Sequence, residues 1–214
     1  MLPILFAALL PTAMFLLYLG TGRDKRLLVV CLAWTVATGI LAGYRFFENT
    51  KAMPPRMLLA IVPPLVYITW YVRRTPASRL QPAYLLAIHT LRLPVELILY
   101  QLYLQAKVPV LMTYRGWNFD ILTGISAILL LLTGITRRSS AGAAALFRIW
   151  NIIGLVLLAI IVGIAVLSAP LPLQRLAFDQ PNVALLFFPY TWLPAVVVPV
   201  VLLSHLLCLK RKVI

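Results

Sequence analysis

Seven stretches, each about 16 to 26 residues long and nearly free of charge, follow one another along this chain of 214 residues. No other feature restricts the fold as much, because a helix needs about 20 mostly apolar residues to cross roughly 30 Å of hydrocarbon. The stretches lie at about 2–19, 27–44, 57–72, 81–105, 118–136, 146–168 and 184–209. In lipid, backbone polar groups must be satisfied within a segment or in a closed barrel. Barrel strands alternate apolar and polar residues over about ten positions, whereas Leu27–Leu41 and Ile152–Leu167 are apolar all round. The expected fold is therefore an all-α polytopic membrane protein, a single domain over 1–214 with seven transmembrane helices. The third stretch is short and carries Pro63-Pro64, which predicts a kink or a helix running past these edges.

Composition agrees. The chain is 63% hydrophobic and 11% charged, with a mean hydropathy of +0.99, against roughly 45–50% apolar and about 25% charged in soluble domains. A soluble enzyme, a disordered tail and a disulfide-stapled secreted module are excluded. The net charge of +14 is not the footprint of a nucleic-acid binder, since the basic residues punctuate apolar runs instead of gathering on one soluble face. Anionic lipid headgroups are the partner such clusters suit.

The placement of charge predicts orientation. With alternate loops assigned to the cytoplasm, Arg23, Lys25, Arg26, Arg73, Arg74, Arg79, Arg137, Arg138, Arg148, Lys210, Arg211 and Lys212 fall inside. Arg45, Lys51, Arg56, Lys107, Arg115 and Arg175 fall outside, and Arg92 lies within a span. The N-terminus is expected outside and the C-terminus in the cytoplasm. Because Met1–Leu19 meets its positive charge only after the apolar run, the reverse of a secretory signal, it is expected to stay as the first span. The absence of an Asn-x-Ser/Thr sequon suits a bacterial inner membrane.

Familiar seven-helix chemistries lack their residues here. The last span has no lysine before Lys210 for a retinal Schiff base, and no Pro-Gln dipeptide occurs. There is no Gly-rich phosphate loop, zinc motif or nucleophile elbow. Cys31, His205 and Cys208 share a depth, but without ligand spacing they read as packing residues, and no metal site is expected. His205 is expected about two turns shallower than His89, which argues against a haem between them. Which cofactor the chain takes, if any, is left open.

The fourth stretch carries the information. Ionisable residues at membrane depth are costly and mark functional sites by default. His89, Arg92 and Glu96 share one helical face, which Tyr100 continues. Arg92 and Glu96 are also spaced to neutralise each other, the structural alternative. Pro94 between them removes a backbone donor. On the outer side three polar segments are expected to form a vestibule: Arg45 and Glu48; Tyr114, Arg115, Asn118 and Asp120; and Asp179 and Asn182. Asn151 is expected to donate a hydrogen bond between helices, and Gly124, Gly134, Gly154 and Gly163 to allow close helix approach.

These features point first to a transporter, channel or sensor for a small molecule or ion. The second expectation is an accessory or assembly subunit paired with another membrane protein. The third is a lipid-modifying intramembrane enzyme with His89 and Glu96 as acid and base.

Overall fold

Apolar runs of this length fold as helices because every backbone donor then finds its acceptor four residues away. The computed structural model describes residues 1–138 and 140–210, and among them every regular element is helical. Of the C-terminal basic cluster Lys210 is described, while Arg211 and Lys212 lie outside the described residues.

The elements are α1 (Leu2–Gly20), α2 (Lys25–Gly43), α3 (Met57–Arg74), α4 (Pro82–Ile88), α5 (Arg92–Leu104), α6 (Asp120–Leu132), α7 (Ala141–Leu167) and α8 (Val198–Lys210). A 3-10 turn, His89–Leu91, joins α4 to α5, and a π-helical turn, Leu193–Val197, leads into α8. Five helices are long and apolar enough to cross a membrane: α1, α2, the joined Pro82–Leu104, α7 and the joined Leu193–Lys210. Of the other two, α3 runs unbroken through Pro63 and Pro64 but is less apolar, and α6 has only 13 residues, about 20 Å of helix.

Hydrogen bonds between elements define two ends of the bundle. At the lower end the Asp24 carboxylate caps α2 and also accepts from the Tyr71 hydroxyl of α3 at 2.9 Å. Gln81 donates its backbone N–H to Gly20 of α1, and Lys210 reaches the carbonyls of Val72 and Arg73. At the upper end Gln180 donates to the carbonyls of Tyr103 and Val108, and Arg56 donates to that of Phe46.

The core lies around α8, which packs against α1, α3, α4 and α7. Its Val200, Val201, Leu203, Leu207 and Cys208 are buried, and so are its polar Ser204 and His205. The outward faces of α2, α3, α6 and α7 instead expose Val29, Val36, Val66, Leu129, Ile153 and Val156. An outward surface this apolar is compatible with a lipid environment.

The seventh segment starts later than expected and the fourth is broken inside its bounds, and proline explains both; the sixth, expected from 146, starts earlier, at Ala141. The seventh was expected over 184–209, yet Ala184–Leu186 is an isolated 3-10 turn and the continuous helix starts at Leu193, beyond Pro189. In the fourth, Pro94 has no N–H for the Thr90 carbonyl, and the chain tightens into the 3-10 turn over His89–Leu91. Of the four glycines, only Gly124 and Gly154 sit where a Cβ would crowd a neighbour. Gly163 faces open space, and Gly134 serves instead for its positive φ of 63° after α6.

Candidate functional site

Four helices place polar side chains at one level in the bundle interior. Arg92, at the start of α5, is the hub. Its Nη1 donates to Asp120 Oδ1, on the first residue of α6, at 3.0 Å. Its Nη2 lies 3.3 Å from Nε2 of His205 on α8. A guanidinium offers only donors, so this imidazole nitrogen must accept. The Asn151 amide nitrogen of α7 is committed to the Phe147 carbonyl at 2.8 Å, leaving Asn151 Oδ1 to accept from His205 Nδ1 at 2.9 Å. His205 is thereby held as the neutral tautomer with its proton on Nδ1. Asn151 does bridge helices, but as acceptor, its donor having turned to its own helix.

One turn beyond Arg92, Glu96 Oε1 accepts from the Asn118 amide at 2.6 Å. The same amide nitrogen donates to the Met112 carbonyl at 3.0 Å, and Asn118 Oδ1 accepts the Asp120 backbone N–H at 3.1 Å. Glu96 is 2% exposed, and its Oε2 has no hydrogen-bond partner among the described residues. Gly124 lets α6 come this close: a Cβ there would sit 3.0 Å from the Leu93 backbone nitrogen and 3.5 Å from the Arg92 Cβ.

On the lower side of Arg92 the His89 ring lies against His205, centroids 3.8 Å apart and tilted by 32°. Trp150 flanks both, at 5.2 and 5.5 Å. His89 Nε2 is 2.7 Å from Ser204 Oγ. That spacing matches a nucleophile and its base. Both residues are fully buried, and neither lines the cavities that reach Glu96.

A cavity of about 150 Å³ descends from the upper end between α3 and α7 to Glu96 and Asp120. Its wall is apolar apart from those two residues and Asn182. A smaller one of about 40 Å³, bounded by α1, α5 and α8, touches Arg92, Glu96 and Asp120. Glu96 and Asp120 thus line both.

Several expectations are corrected by this geometry. Arg92 takes Asp120 as its ion-pair partner, not the i+4 neighbour Glu96, because α6 brings a carboxylate to the guanidinium from across the helix interface. Asn118 and Asp120, expected at the outer mouth, are buried in the network. A 13-residue helix cannot reach across the bundle, so the chain before α6 folds down to meet it. His205 is at the level of His89 and not two turns away. Five residues of α8 follow His205 and seven of α4 precede His89, so the offset is only about 3 Å. The contact between the rings leaves no slot for a haem. Among the described residues no three His, Cys, Asp or Glu side chains are grouped to hold a metal ion.

The remaining expected mouth residues fall into separate groups. Tyr114 packs on Tyr100 at 5.0 Å, with the Arg115 guanidinium 5.1 Å above the Tyr100 ring. Arg45 and Glu48 pair with each other at 2.7 Å, and the Glu48 hydrogen bond, followed by its charge, pushes the Arg45 pKa upward. Asn182 is buried, donating to the Ala165 carbonyl at 3.1 Å, while Asp179 nearby is exposed. Sequence reading missed Ser204 altogether; its only signal was a hydroxyl beside a histidine in an apolar span.

The family profile that matches this chain spans residues 53–212 and is described as Domain of unknown function (DUF8737). The chain belongs to that family. The match runs from just before α3 through α8 and includes Arg92, Glu96, Asn118, Asp120, Asn151 and His205, whereas α1 and α2 precede it. No curated protein and no solved structure matches the chain.

Proposed function

We propose that this chain is a seven-span membrane protein, N-terminus outside and C-terminus cytoplasmic, that binds a small molecule or ion as a transporter, channel or sensor. The bilayer is a bacterial inner membrane in this reading, and nucleic acid is not a partner. Glu96 carries the functional reading. Arg92 and Asp120 neutralise each other, although Arg92 Nε is itself without a hydrogen bond among the described residues; Glu96 holds a buried carboxylate oxygen without a partner at the floor of an apolar cavity. Buried carboxylates that are not needed for neutralisation ask for another reason to exist.

The orientation rests on charge. Arg23, Lys25, Arg26, Arg73, Arg74 and Arg79 gather at the lower end, which the positive-inside rule assigns to the cytoplasm. The short α6 is completed as a span by the 3-10 turn Ile135–Arg137 below it and by the folded segment above it.

Native mass spectrometry of gently extracted protein, wild type beside Glu96→Gln, tests this reading. A bound species carried by the wild type and lost from the variant is the expected result. If both are ligand-free and the variant instead loses a protein partner or its stability, the cluster is an interface or a structural element and the reading falls.

A further inference from the structure

Charge, size and wall chemistry together restrict what the cavity above Glu96 can hold. Within the cluster, Arg92 contributes one positive charge and Asp120 one negative charge, at 3.0 Å. His205 is neutral because its Nε2 accepts from Arg92. His89 lies against Ser204, His205 and Trp150, on the side of Arg92 away from Glu96. The other elements around the cavities, α1, α3, α7 and α8, present uncharged side chains such as Ala13, Met57, Ile61, Leu158 and Val198. An ionised Glu96 therefore leaves one uncompensated negative charge in an apolar interior, a costly state. Either a proton or a cation must cancel it.

Two buried acceptors line this cavity without a partner among the described residues: Glu96 Oε2 and Asn182 Oδ1. Asn182, whose amide donates to the Ala165 carbonyl, sits toward the upper end of the cavity beside Lys107, so Glu96 is the free acceptor at its floor. An ammonium supplies positive charge and three N–H donors at once. Mg²⁺ or Ca²⁺ wants about six or more oxygens, and the rest of this wall is hydrocarbon. The volume of about 150 Å³ equals that of engineered apolar cavities that take up benzene. Leu58 and Leu173, which line the cavity, are also exposed, so its mouth is apolar.

We infer that the ligand is a compact organic ammonium, an amine on an apolar body of about one ring, bound by Glu96 in exchange for the proton on that carboxyl. The inference rests on reading Glu96 as a ligand site. The exchange balances: the protonated carboxyl loses its proton to solvent, and the ammonium takes its place as the counter-charge with no covalent bond made or broken except that O–H.

The test uses the full chain in phosphatidylcholine nanodiscs, with benzylamine as probe and benzyl alcohol as its neutral counterpart, both corrected against empty nanodiscs. Calorimetry in two buffers of different ionisation enthalpy reads the protons released. Benzylamine should bind at one saturable site, release about one proton, and bind more tightly as the pH is raised. Benzyl alcohol should bind at least about tenfold more weakly, as expected where buried acceptors are left without donors. Glu96→Gln should abolish proton release and weaken benzylamine by a similar factor. Ala165→Phe keeps the carboxylate but fills the cavity, and it should lose benzylamine with an unchanged melting temperature, which covers the case in which Glu96→Gln does not fold. Equal binding of the alcohol, binding without proton release, an unaffected Ala165→Phe, or no binding of benzylamine overturns the inference. If native mass spectrometry still finds a Glu96-dependent species that is not an amine, the ligand site stands and only the assignment of its class fails.

Discussion

Arg92 shows how one side chain can fix the state of its neighbours. Five N–H donors at 4% exposure set a donor against the Asp120 carboxylate and oblige the facing His205 nitrogen to accept. Removing a single member of a buried ion pair strands the other, at a cost of about 3–5 kcal/mol. Asp120→Asn is therefore expected to lower the melting temperature in detergent far more than the double change Arg92→Met with Asp120→Leu, which removes both charges. Equal losses in the two would show the pair to be inert. Gly154→Ala tests the other side of the hub. Its Cβ would lie 2.4 Å from the His205 Cε1, and that ring is held at both nitrogens, so it cannot simply swing away. Overpacking of this kind costs about 1–3 kcal/mol, and a thermal melt of the variant reads it. Arg92, Glu96 and His89 were legible in the sequence because charge and imidazole in an apolar run are conspicuous. Asn118, Asp120 and His205 were visible as residues but misplaced in depth, since depth depends on where each helix begins and ends.

At the scale of elements, proline decides how α8 joins the bundle. Pro199 has no N–H for the Ala195 carbonyl four residues earlier, and the Trp34 indole of α2 donates to that carbonyl at 3.1 Å. The Trp192 indole returns the contact, donating to the Thr35 carbonyl at 2.9 Å. These two indoles hold α2 to the π-helical turn. Trp34→Phe keeps most of the apolar bulk and removes the donor, so it should cost about 1–3 kcal/mol, the range for a buried carbonyl left without its partner. A melt indistinguishable from wild type would mean that the carbonyl finds another donor. That all seven segments are helical followed from length and hydropathy alone. The break at His89–Leu91 and the late start at Leu193 were foreshadowed by Pro94 and Pro189, but a proline states only that a donor is missing. Which side chain replaces it depends on packing between helices distant in sequence, here α2 and α8.

At the scale of the molecule, the two ends are distinguished by charge more than by shape. Twelve basic residues were assigned to one side and six to the other, with Arg211 and Lys212 of the first group outside the described residues. The lower-end residues Arg23, Lys25, Arg26, Arg73, Arg74 and Arg79 lie in two short connections or at the helix ends that flank them, where the positive-inside bias has its greatest influence. Ser78 lies among them and is exposed, while Asp179 is exposed at the opposite end. The orientation can be read with single cysteines at these two positions, after Cys31 and Cys208 are replaced by alanine. In intact cells a membrane-impermeant maleimide should label Asp179→Cys, and it should label Ser78→Cys only after permeabilisation. The reverse pattern would turn the protein over, placing the mouth of the Glu96 cavity toward the cytoplasm. A ligand of that cavity would then have to reach it from the interior of the cell, while the geometry of the site stood unchanged.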